Sequence, residues 1–224
     1  MDAISMPVPP TSKRGTSAII EQIAHAITIA YDAVRNLRDL FATSSQMALL
    51  AVRDCERELD RLEREIDDSI PTAIARTGET RARELIACLR FVTDLERIGD
   101  LLLWVGEKSS ATRLDPSDSE RIERMLLIIE NMLVDIRDGL LSRDIEKGYS
   151  VLRADPELDT LRTAIFQDHL QRRRRATKTE SVDTLFIVQA VERAGDHATN
   201  LAEELVHLIE GHSIRHVKRR VLDA

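Results

Sequence analysis

Aromatic side chains are scarce: one Trp, two Tyr and four Phe make up only 3% of the 224 residues. With 43% hydrophobic and 32% charged residues, the chain has the Ala/Glu/Leu/Arg-rich profile of a long-helix protein. Strand signals are missing too, because no run of alternating β-branched residues is bounded by turn residues. The two cysteines, Cys55 and Cys88, form neither a CxxC pair nor a secreted disulfide pattern. They read as reduced thiols at or near the core, in a cytoplasmic protein. The N-terminus lacks an apolar signal region, and the longest apolar stretch, Leu101 to Val105, is far short of the roughly 20 residues that span a bilayer. A net charge of −7 excludes a general nucleic-acid binder, whose phosphate contacts need a broad excess of Lys and Arg. There is no GxxxxGK[ST] phosphate loop, no HExxH and no GxSxG, so nothing in the chain calls for catalysis.

What is present is helical periodicity. Residues 1–15, with Pro7, Pro9 and Pro10, read as a disordered tail. Ile20, Ile23, Ala24, Ile27 and Tyr31 mark a first helix from Ser17 to about Phe41. Met47, Leu50, Leu59, Leu62 and Ile66 mark a second, which Pro71 should kink or interrupt before Gly78. A third is expected over Glu79–Lys108. After the polar segment 109–120 the pattern returns, with helices expected over Pro116–Leu141, Tyr149–Arg173 and Thr179–Glu210. Asp144–Gly148 reads as a turn and Gly211 as a helix stop. The expected fold is all-α: two tandem three-helix bundles related by internal duplication, over residues 16–112 and 113–216, with a short tail at 217–224. Each amphipathic helix needs neighbours to bury its apolar stripe, so the three in a unit should pack antiparallel.

The duplication is plainest in one motif. Glu-Arg-x-Gly-Asp occurs at Glu96–Asp100 and again, 96 positions later, at Glu192–Asp196. Four residues apart on a helix, each pair of carboxylates shares one face, about one turn from each other. A central Gly costs a helix about 0.8–1 kcal/mol relative to Ala, and a close approach of a backbone or ligand is a reason to use it. Acidic pairs at helical spacing usually form a solvated face, whereas two copies in register suggest cation binding. Oxygen ligands suit Mg, Ca or Mn, and His197, beside Asp196, would admit Fe or Zn.

LERIGD and, more closely, VERAGDHATNLAEELVHLIEGHSIRH resemble the paired third-helix motifs of the PhoU family, over nearly all of residues 17–218. The resemblance implies a regulator of phosphate uptake and phosphate-starvation signalling rather than a catalyst. It implies an adaptor between the phosphate ABC transporter ATPase and a sensor histidine kinase, expected here as a cytoplasmic homodimer that meets membranes only through partners. It also implies metal at the acidic motifs: iron, zinc, manganese or magnesium held by Glu96, Asp100, Glu192 and Asp196. Weaker assignments come from the preceding helices: Glu56, Asp60, Glu63 and Asp67 in the first copy, Asp155 and Asp159 in the second.

The copies differ. Leu101 stands against His197 and Trp104 against Asn200, and Arg162 falls where Glu63 falls. Arg97 and Arg193 cannot ligate a metal and are expected to brace carboxylates. The run Leu101–Val105 is apolar on every side, implying burial between the halves or an interface anchored by Trp104. His25, His169, His207 and His212 share no spacing with the motifs. Two basic clusters, Arg172–Arg175 with Lys178 and the closing IRHVKRR, fit a solvated surface or docking to an anionic partner. Two rival functions fit the sequence less well. A carboxylate-bridged di-metal enzyme would use Glu-x-x-His pairs, which the motifs lack; a nucleic-acid-associated helical protein would rest on the Arg cluster alone.

Overall fold

A computed structural model describes residues 11–75, 77–171 and 178–210. The Arg172–Arg175 run, Gly211, His212 and the IRHVKRR end lie outside the described residues. Six helices account for the fold: α1 Thr11–Thr43, α2 Gln46–Ile74, α3 Glu79–Ala111, α4 Pro116–Ser142, α5 Ile145–Gln171 and α6 Lys178–Glu210. No strand occurs among the described residues, as the sequence indicates.

Each helix follows from its apolar spacing. In α1, Ile23, Ile27, Ala30, Val34 and Leu37 recur at three- and four-residue steps and are buried. Asp115 caps α4 by accepting from the Ser117 backbone N–H at 2.9 Å, and Pro116 occupies the first turn, where its missing N–H costs nothing. The first connection of each repeat uses the same device. Ser44 after α1 and Arg143 after α4 adopt left-handed backbone, at φ 53° and 54°, and the chain reverses at once.

Three sequence expectations change. α1 starts at Thr11, ahead of the expected Ser17, and so takes in residues 11–15, expected in the tail. α2 runs through Pro71 to Ile74: the proline forgoes the bond to the Asp67 carbonyl, but the helix continues past it for one short turn. α5 starts at Ile145, ahead of the expected Tyr149, with the Asp144 carboxylate accepting from the Glu146 N–H at 3.0 Å. Gly148 therefore lies inside the helix. A Cβ there would stand 2.7 Å from Val206 Cγ2 and 3.4 Å from the Ala202 carbonyl, so this glycine admits α6 at close range and is no turn residue.

α1, α3, α4 and α6 pack together at the centre; α2 lies against α1 and α3, and α5 against α4 and α6. Each repeat is thus a three-helix unit, and the two meet through α1–α4 and α3–α6. α3 and α6 are antiparallel: Arg90 pairs with Glu204, Asp94 with His197 and Lys108 with Asp183, one number rising as the other falls. One hydrophobic core runs through both repeats. Leu102 and Val105 are fully buried in it, whereas Trp104 turns outward and is 42% exposed.

Candidate functional site

The glycine of each motif sets the distance between two helices. A Cβ on Gly99 would lie 2.8 Å from Leu59 Cδ1 and 3.7 Å from Glu56 Cα. On Gly195 it would lie 2.4 Å from Leu158 Cδ1. α2 therefore closes on α3, and α5 on α6, bringing the acidic face of one helix beside the Glu-x-x-x-Asp pair of the next. Gly99 and Gly195 are packing residues whose consequence is electrostatic.

In the first repeat that consequence is crowded negative charge. Partial burial, then Asp100, Glu63 and Asp60, push the Glu96 carboxyl up to about 7, against weak relief from Arg97. Burial, Asp100 and Asp60 likewise raise Glu56. Thr93 reaches Glu63 only at 3.5 Å, and Asp60 is paired along its own helix with Arg64 at 2.8 Å. Among the described residues the Glu96 carboxylate forms no hydrogen bond or ion pair.

The second repeat places the same pattern around a guanidinium. With Gln46 and Ile145, the first residues of α2 and α5, in register, Glu56, Asp60 and Glu63 correspond to Asp155, Asp159 and Arg162. Arg162 Nε lies 3.6 Å from Glu192 and its Nη2 3.4 Å from Asp159, with the guanidinium 6.0 Å from the Phe166 ring centre. Gln189 donates to the other Glu192 oxygen, and Thr199 donates to Asp155 at 3.0 Å. Burial and Asp196 raise the Glu192 carboxyl, and Arg162 pulls it back.

His197 reaches across the repeats. Its Nδ1 lies 2.8 Å from Asp94, both side chains being nearly buried, and Arg97 approaches the same carboxylate at 3.9 Å. Arg193 is exposed; the brace for Glu192 is Arg162. Asp94, Gln189 and Thr199 escaped the sequence reading, because each acts on a helix face that the motif alone does not define. The thiols are unpaired as expected: Cys55 is half-buried, and burial pushes buried Cys88 up to about 12, leaving it inert.

Among the described residues no three His, Cys, Asp or Glu side chains converge tightly enough to hold a metal ion as they stand. The donor chemistry of the two copies still differs. Glu56, Asp60, Glu63, Glu96 and Asp100 form an all-oxygen set with excess negative charge, which suits a hard divalent cation. The second set already contains a cation, and a guanidinium offers no lone pair.

Fold and motifs together define a class: a helical-bundle protein of two three-helix repeats, each presenting a Glu-x-x-x-Asp pair beside the acidic face of its neighbour. The PhoU domain profile matches residues 23–108 and again residues 122–205, and the chain belongs to the PhoU family. A phosphate-specific transport system accessory protein PhoU homolog from Caulobacter vibrioides is 31% identical over 159 residues, covering 68% of this chain and 69% of the relative. The homolog from Rhizobium meliloti is 32% identical over 165 residues, covering 68% of each. The crystal structure of the phosphate transport system regulatory protein PhoU from Streptococcus pneumoniae superposes with a TM-score of 0.82 at 16% identity, over 91% of this chain and 99% of that one. PhoU from Pseudomonas aeruginosa gives 0.70 at 21% identity, over 90% and 96%. At those identities the two structures establish the fold alone.

Proposed function

We propose that this chain regulates phosphate uptake and phosphate-starvation signalling, as a cytoplasmic adaptor between a phosphate transporter ATPase and a sensor histidine kinase. The observation that carries this reading is the PhoU domain match over both repeats. Relatives at 31% and 32% identity, named as phosphate-specific transport system accessory proteins, support it. The protein acts by binding rather than by catalysis. To change what its partners do, it must hold one of their states more tightly than another, since equal affinity shifts nothing. No helix of the described residues is long and apolar enough to cross a membrane.

Two features suit such a role. Trp104 and Phe186 are 42% and 58% exposed. Trp104 stands one turn before Lys108, and Phe186 one turn after Asp183, the residues that pair at 2.9 Å between antiparallel α3 and α6. Both aromatics therefore sit at one level of the helix pair, an anchor for a partner or a second copy of the chain. The second feature is the first-repeat acidic set, where Glu96, Asp100 and Glu63, with Glu56 and Asp60, would hold a divalent cation. Such an ion supplies the charge that balances these carboxylates. With the ion between them these carboxylates would tie α2 to α3, and Glu96 would have to give up its proton.

The test is affinity capture of the full chain from cells grown in high and low phosphate, with mass spectrometry of partners and elemental analysis of the same sample. Recovery of the transporter ATPase or the sensor kinase, changing with phosphate, is expected. Recovery of neither, together with an unaltered phosphate response in cells lacking the protein, overturns the adaptor reading.

A further inference from the structure

We infer that the two motif copies have divided their chemistry: the second holds no metal, because Arg162 stands inside it as a built-in counter-cation. This rests on the metal reading of the first repeat. Three differences between the copies point the same way. Arg162 replaces Glu63, so a ligand is lost and a permanent positive charge is gained within 3.6 Å of Glu192 and 3.4 Å of Asp159. Gln189 replaces Thr93 and donates to the Glu192 oxygen that Arg162 leaves open. Thr199 replaces Leu103 and donates to Asp155, the counterpart of Glu56.

Glu192, Asp159 and Asp155 thus each have a positive charge or a hydrogen-bond donor from within the chain beside them. A dication entering there would have to displace the guanidinium and the amide while gaining one carboxylate fewer. In the first repeat the same positions carry Glu63, Thr93 and Leu103, and Glu96 has no such partner among the described residues. Arg162 is also held in place, with Phe166 beneath it.

The deciding experiment is manganese loading of the full chain, followed by dialysis and elemental analysis, with circular dichroism to confirm helical content. Glu192→Gln with Asp196→Asn should leave manganese content unchanged, and Glu96→Gln with Asp100→Asn should reduce it to background. Arg162→Glu, which restores the first repeat's residue, should raise it about twofold. If Arg162→Glu does not fold, the two double variants still decide. Loss of metal from the wild-type chain upon the Glu192/Asp196 change overturns the inference. If the wild-type chain binds no manganese, the first-repeat reading fails by itself. In that case uptake by Arg162→Glu retains the role of Arg162, and no uptake removes it.

Discussion

Glu96 is a carboxylate that the folded protein holds at a disadvantage. Its usual value of 4.5 rises to about 7, so between those values the folded chain binds more protons than the unfolded one. The stability this proton contributes is fully present below pH 4.5 and is lost as pH rises through 7. In metal-free protein, Glu96→Gln imitates the protonated form. It should raise Tm by roughly 1–3 °C at pH 8 and leave it unchanged near pH 4, an effect kept small by solvent screening of a partly exposed group. Thermal melts at the two values check this. Glu204 illustrates the opposite case, a carboxylate only 3% exposed that accepts both bonds of Arg90, at 3.1 and 3.2 Å. Arg90→Ala should cost about 1–3 kcal/mol in urea unfolding, by removing one charged partner of a buried carboxylate that keeps His207 at 3.5 Å. At this scale the sequence discloses the motif carboxylates and the Arg162 substitution, because both lie in register between the copies. It does not disclose the Asp94–His197 bond, whose partners stand 103 residues apart on faces fixed only when α3 and α6 meet.

The helices were legible wherever apolar periodicity was strong and the caps were chemical. Pro116 locates the start of α4 correctly, and Gly78 precedes α3 as expected. The reading failed at α5, where Gly148 looked like punctuation. A helix-interior glycine reveals its purpose only through what packs on it, here Val206 and the Ala202 carbonyl. Gly148→Ala gains helix propensity of about 1 kcal/mol but drives a methyl into a stiff β-branched side chain. A net loss of about 1–2 kcal/mol is expected, measurable by chemical denaturation. Gly78→Ala is the contrast, since nothing lies within 4 Å of a Cβ there. The change should be within about 0.5 kcal/mol of neutral.

At the scale of the whole molecule, two units that look separable in sequence share one interior. α3 and α6 hold buried apolar residues along their length, and the core is continuous through both repeats. Unfolding should therefore be a single transition. Leu102→Ala in the first repeat, where the side chain is fully buried, should cost about 2–5 kcal/mol. It should shift the whole melt downwards without splitting it, as followed by calorimetry. A separate, unshifted transition for the second repeat would show two independent folding units.

The glycines at 99 and 195 admit Leu59 and Leu158 to equivalent places. Selection for helix packing alone is enough to keep that part of the motif spelled alike in both copies, while the surrounding side chains are free to change their chemistry. After a gene duplication, one copy can keep a demanding charge and the other can neutralise it with a single codon for arginine, without disturbing the shared interior. Counting Glu-x-x-x-Asp motifs in this chain therefore counts helix crossings, and under the division of chemistry proposed above the side chain at Glu63 or Arg162 is what would leave a crossing open to a cation or close it.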